Sequence, residues 1–141
     1  MIKKLTVFLD SDVIISSLIS KKGAAFLLIN NKVLTKYISN ISIKEIEIII
    51  KRLKLNLYNF KNVLTNLKVT NIKKSLNNIK KKYHIFVTDK NDAHIVCGAK
   101  ESSVNFLITY NLKHYKKDII KQNLKIITLT PALFLQYLRS L

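Results

Sequence analysis

The stretch Thr6 to Ser20, TVFLDSDVIISSLIS, restricts the possible folds more than any other part of the chain. Leu5, Val7, Phe8 and Leu9 form a short apolar run of the kind a buried parallel strand shows. Asp10 and Asp12 interrupt it, and Val13, Ile14, Ile15, Leu18 and Ile19 then resume at helical spacing. Two carboxylates therefore stand where a buried strand hands over to a helix. In open α/β sheets the ligand crevice lies just outside the carboxyl ends of the strands, at such a handover. Asp12 or Ser11 could simply cap the helix. That explanation suits one aspartate better than two, because neighbouring carboxylates repel unless a cation lies between them.

The rest of the chain alternates strands with helices. Lys21-Lys22-Gly23 marks a turn, Ala24 to Ile29 reads as a short buried helix, and Val33 to Ile38 as a second strand. Ser42-x-x-Glu45 has the form of a capping box opening a helix, with Ile46, Ile49, Ile50 and Leu53 at helical spacing. Leu57 to Lys82 reads as amphipathic helices broken near Val69-Thr70, and His84 to Val87 as an extended lead-in. Asn91 to Lys100 reads as a helix, Asn105 to Thr109 as a buried strand, His114 to Lys121 as a helix, and Leu124 to Thr128 as a strand. Thr130 as N-cap and Pro131 at the first helical position open a last helix to about Arg139. Such alternation implies a single domain spanning 1–141, with helices covering both faces of a central, mainly parallel sheet: a three-layer α/β/α architecture.

Composition narrows the partners. Lys+Arg 25 against Asp+Glu 8 gives +17, which points toward a polyanion such as nucleic acid, although an AT-rich coding sequence would also enrich lysine. Arg52 and Arg139 are the only arginines, so binding should be directed to phosphates more than to base edges. Lys61, Lys68, Lys73, Lys74, Lys80, Lys81 and Lys82 are the candidates for attracting a nucleic-acid substrate; a solvated helical face is the bland alternative. One cysteine, Cys97, excludes an internal disulfide framework and fits a reducing compartment. The opening MIKK could begin a leader, but Asp10 and Asp12 fall in its would-be apolar region, so none is expected, and no uncharged apolar run reaches membrane-spanning length. A cytoplasmic protein without a membrane is the expectation.

The acids are more informative than the bases. Six of the eight fall into three pairs, Asp10 with Asp12, Glu45 with Glu47, and Asp89 with Asp92. A basic chain that concentrates its few carboxylates is suited to building a hard-cation site. Asp10, Glu45 and Asp92 all fall at strand ends or helix starts, where they could converge on Mg²⁺ or Mn²⁺. Such an ion activates water and offsets charge on a phosphodiester. Each has a capping explanation as well. His84, His94 and His114 show no ligand spacing, and His94 would point away from Asp92 on a regular helix. With glycine only at Gly23 and Gly98, a glycine-rich phosphate loop is excluded.

These segments resemble the PIN-domain nucleases, especially the compact VapC-like toxins of toxin–antitoxin pairs, over nearly the whole chain. VFLDSDVIISSLIS is similar to that family's opening motif, with Asp10 at the first metal carboxylate and Asp12 where Asn is more common. SNISIKEIEIII resembles the segment carrying the second acid, Glu45, and DKNDAHIVCGA the third, Asp92, with Asp89 beside it. FLITYNLKHY resembles the strand and turn that often supply a fourth acid. There this chain has Asn111, with Thr109 available nearby and Lys113 where a further acid could stand. The resemblance implies a metal-dependent endoribonuclease acting on single-stranded or loop RNA, a cognate antitoxin, and a homodimer.

Two other classes share parts of the pattern. LDSDVI fits the Asp-x-Asp motif of haloacid-dehalogenase-like phosphatases, but the only acid after Thr109 is Asp118, so their late acidic pair is missing. A response-regulator receiver would need an acceptor aspartate on a middle strand, and there is none. The non-enzymatic alternative is a basic nucleic-acid-binding module with a decayed metal site, for which Asn111 is the main argument.

Overall fold

A computed structural model describes residues 5–141; residues 1–4, weighed above as the opening of a leader, lie outside them. Five parallel strands, β1 (Thr6–Leu9), β2 (Thr35–Ser39), β3 (Lys68–Thr70), β4 (Phe106–Ile108) and β5 (Ile127–Leu129), form one sheet in the order β3-β2-β1-β4-β5. Because β1 is central, its side chains are buried on both faces, which explains its unbroken apolar run.

The pleat sorts the core into two halves. Val7, Leu9, Ile38, Phe106 and Ile108 pack on one face with α1 (Ser11–Ile19), α2 (Ala24–Ile29), α3 (Asn40–Leu53), α4 (Leu57–Leu64) and α8 (Pro131–Arg139). Phe8 and Leu107 pack on the other with α5 (Leu76–Tyr83), α6 (Ala93–Glu101) and α7 (Lys117–Leu124). The architecture is therefore α/β/α in three layers. Cys97 is buried among the second group.

Several local expectations are corrected. The break near Val69-Thr70 is a strand, β3, paired parallel to β2; three residues at an edge are too few to show a period. His84–Phe86 is a 3₁₀ turn and not an extended lead-in, and 3₁₀ turns at Lys90–Asp92 and Leu112–His114 precede α6 and α7. Helix α3 starts at Asn40, and Ser39 is its N-cap, its Oγ accepting from Ser42 N at 3.1 Å. Ser42 and Glu45 therefore form no capping box, and Glu45 has no structural duty at the helix start. Thr130 and Pro131 do open α8, with Thr130 Oγ1 accepting from Leu133 N at 3.2 Å.

Lys36 was not singled out by sequence because its strand context hides it. It is only 5% exposed, and its Nζ donates to the carbonyls of Ile29 and Asn31, closing the C-terminal end of α2. Burial lowers its pKa from the ordinary lysine value.

Helix α6 lies so close to β1 that a Cβ at Gly98 would stand 2.7 Å from Phe8 Cε2 and closer still to Cζ. Alanine would gain about 1 kcal/mol in helix propensity, whereas overpacking a filled core costs about 1–3 kcal/mol. Gly98→Ala should therefore lower the urea midpoint. A midpoint at or above wild type would show that Phe8 has room to move.

Candidate active site

The order β3-β2-β1-β4-β5 reverses the direction of winding between β1 and β4. That switch point is where open parallel sheets hold ligands, and Asp10 and Thr109 follow the two strands there. Asp10 is the N-cap of α1, with Oδ1 accepting from Ser11 N at 2.7 Å. Its Oδ2 accepts from Thr109 Oγ1 at 2.9 Å and from the Tyr115 hydroxyl at 2.7 Å. Burial nevertheless holds the Asp10 carboxyl above the ordinary range, against the pull of these three donors. Burial and the Asp10 charge push the Tyr115 hydroxyl upward, so it remains a proton donor.

Asp12, in the first turn of α1, points back to the same switch point. Its Oδ2 accepts from Asn111 Nδ2 at 2.9 Å and from Tyr110 N at 3.2 Å. Burial, then repulsion by Asp10, pushes its carboxyl up to about 7. Its Oδ1 is buried without a hydrogen-bond partner among the described residues. Asn111 therefore sits behind the acids as a support for Asp12, and it does not line the cavity.

Helix α3 brings Glu45 across from α1. Ser11 Oγ donates to Glu45 Oε1 at 3.3 Å, and Glu45 Oε2 meets His94 Nε2 at 3.0 Å. Asp92 is the residue before α6, and its side chain makes no capping bond. It lies 3.4 Å from His114 Nδ1, and burial, then the Asp10 charge, raises its carboxyl. Asp89 instead caps the 3₁₀ turn, accepting from Asn91 N at 2.9 Å, and does not line the cavity.

Asp10, Asp12, Glu45 and Asp92 all line one cavity of about 710 Å³. From the acids it runs outward as a groove between two helix faces. Asp12, Ile15, Ser16 and Ile19 of α1 form one wall, and Glu45, Ile48, Ile49 and Arg52 of α3 the other, each set at the i, i+3, i+4, i+7 spacing of a single face. Arg52 and the α3 wall follow from the helical spacing that begins at Glu45. His94 and Tyr115 were missed. Asp92 precedes α6 in a 3₁₀ turn, so the rule that separates residues two apart on a helix does not apply between it and His94. No local signal marks Tyr115, whose partner is 105 residues away.

The donor set fits a hard divalent cation: four oxygen-bearing acids share one cavity, three are raised by burial, and one buried carboxylate oxygen is unpaired among the described residues. Among the described residues no three His, Cys, Asp or Glu side chains form a metal-holding group as they stand. Both Asp10 oxygens are hydrogen-bonded, and Glu45 Oε2 is engaged by His94.

A family model described as the PIN domain matches residues 6–113. The chain belongs to the PIN-domain family. PIN domains are nucleases, which places hydrolysis of nucleic acid among the activities of this fold. In structure, the PIN chain is similar to VapBC2 from Rickettsia felis bound to a DNA fragment from their promoter. The TM-score is 0.61 at 16% identity, covering 89% of this chain and 98% of that one. No curated protein sequence matches it.

The raised acids make stability depend on pH when no metal is bound. Asp12 keeps its proton up to about pH 7 in the fold but releases it near 3.8 once unfolded. The native state therefore binds more protons across that window, and stability should fall as pH rises through it. Asp12→Asn should flatten the fall in urea melts run in a chelator. An undiminished pH slope in that variant would assign the effect to another group.

Proposed function

We propose that this PIN domain is a divalent-metal-dependent endoribonuclease that cleaves single-stranded or loop RNA and serves as the toxin of a toxin–antitoxin pair. The observation that carries this reading is the meeting of Asp10, Asp12, Glu45 and Asp92 in one cavity at the β1/β4 switch point. Asp10, Glu45 and Asp92 would hold Mg²⁺ or Mn²⁺ there. When bound, the cation would activate the attacking water and offset charge on the phosphate.

The chain's own groups have separate tasks. Tyr115 and Thr109 fix Asp10 by donating to Oδ2, and Asn111 fixes Asp12. The Asp12–Asn111 pair reverses the arrangement the family resemblance implies, Asn at the first place and Asp at the second. The carboxyl group missing at 111 is thereby supplied at 12, its Oδ2 2.9 Å from the Asn111 amide. This favours an intact site over a decayed one. His94 holds Glu45 beside the other acids through Oε2.

Positive charge would collect the substrate. Lys61 on α4, Lys68 on β3, and Lys73 and Lys74 in the connection to α5 are exposed, as are Lys81 and Lys82 on α5, while Lys80 is half-buried. Lys74 is partly matched by Glu101 at 3.8 Å, which weakens its candidacy. RNA as the substrate comes from the resemblance. A buried free cysteine and the absence of a helix long and apolar enough to cross a membrane among the described residues suit a cytoplasmic setting.

The groove suits control by a partner. Ile15, Ile19, Ile48 and Ile49 offer apolar anchor points leading to the acids, and a cationic side chain could occupy the metal position. A cognate antitoxin segment is the occupant in this reading, and a homodimer is its expected assembly.

With Mg²⁺ or Mn²⁺, purified protein should cleave single-stranded RNA, and Asp10→Asn should slow cleavage at least about 100-fold. Equal rates for both proteins would mean a contaminant or another site; no cleavage at all would favour the binding module. Expression of the chain alone should arrest growth of a host cell. Normal growth alongside RNA cleavage in vitro would remove the toxin assignment and leave a nuclease of another role.

A further inference from the structure

A second pocket, of about 410 Å³, lies outside the carboxylate cavity and is lined by Asn77, Lys80, Lys81, His84 and Lys90. None of its lining residues is acidic. Among the described residues the ion pairs are Lys74–Glu101, His94–Glu45 and His114–Asp92, so Lys80, Lys81 and Lys90 have no carboxylate partner there. Three ammonium groups around one hollow repel each other and are stabilised together only when an anion lies between them.

The histidine gives the pocket its form. His84 Nδ1 lies 3.1 Å from Lys80 O and 3.0 Å from Lys81 O. Both carbonyls can only accept, so Nδ1 carries the hydrogen and Nε2 is the nitrogen left to meet a ligand. The ring also covers the carbonyls at the C-terminal end of α5, whose partial negative charge would otherwise repel an anion. Protonated at Nε2, it would add a directed donor to the three lysines.

The pocket is placed on the way to the acids. Helix α5 packs on the 3₁₀ turn Lys90–Asp92, so Lys90 belongs to the hollow and Asp92 to the carboxylate cavity two residues on. We propose that Lys80, Lys81, His84 and Lys90 form a subsite for a backbone phosphate of the nucleic-acid strand, beside the scissile position. It rests on the nuclease reading of the neighbouring cavity. It extends that reading by adding His84 and Lys90 and by separating this cluster from Lys61 and Lys68, which lie on other elements.

The test is binding of a single-stranded RNA oligonucleotide in a chelator, so that affinity is read without cleavage. Lys81→Gln/Lys90→Gln should weaken binding about ten-fold relative to Lys121→Gln/Lys125→Gln, which removes equal charge from a different hollow. The log–log salt slope should also shrink by about 0.7 for each phosphate that the variant no longer neutralises. His84→Gln should weaken binding in the same direction, measured below the variant's own thermal midpoint. Affinities and slopes equal to the control pair would overturn the subsite. Binding of inorganic phosphate in the hollow that leaves RNA affinity unchanged would assign the hollow to free phosphate and overturn the strand assignment. Cleavage by wild type without pocket-dependent binding removes the subsite alone. Pocket-dependent binding without cleavage supports it and removes the nuclease reading.

Discussion

One partly buried carboxylate, Asp10, is the group around which the site is built. Taking a carboxylate out of water costs several kcal/mol unless donors replace the lost hydration. Here a backbone amide, a threonine hydroxyl and a tyrosine hydroxyl do so in part, and the acid still stands above its ordinary range. Asp12 beside it adds repulsion that no side chain among the described residues relieves on its Oδ1. The fold therefore holds these acids in an unfavourable setting that a divalent ion would relieve, and it places them and their donors just past the ends of β1 and β4.

The central strand was legible because burial on both faces leaves no polar residue in Val7-Phe8-Leu9. The capped last helix was legible because Thr130 and Pro131 act locally. Strand β3 was not, since an exposed three-residue edge carries neither alternation nor a continuous apolar run. The 3₁₀ turns before α6 and α7 escaped for a related reason: they are read as helix starts when only periodicity is available.

Within the site the same division holds. Asp10, Glu45 and Asp92 could be selected because carboxylates are scarce in a chain of +17, so their position at element ends stood out. Asn111, which the sequence offers for a direct role, has its amide on Asp12 and leaves the cavity wall to others. His94 and Tyr115 depend on partners 49 and 105 residues distant, and no local pattern encodes such pairings. Asp89 drew attention as an acid, yet its carboxylate closes a turn.

The separation between Asp10 and its two hydroxyl donors, 99 and 105 residues, also sets when the site comes into being. Strand β1 and helix α1 are made before β4, and the groups that fix the first acid arrive only after β4 has been made and has paired beside β1. A nascent or truncated chain ending before residue 109 has the leading aspartates without their hydroxyl supports. Assembly of the acidic centre is thus tied to synthesis past Tyr115, so fragments released before it carry much of the basic surface but not the supported aspartate.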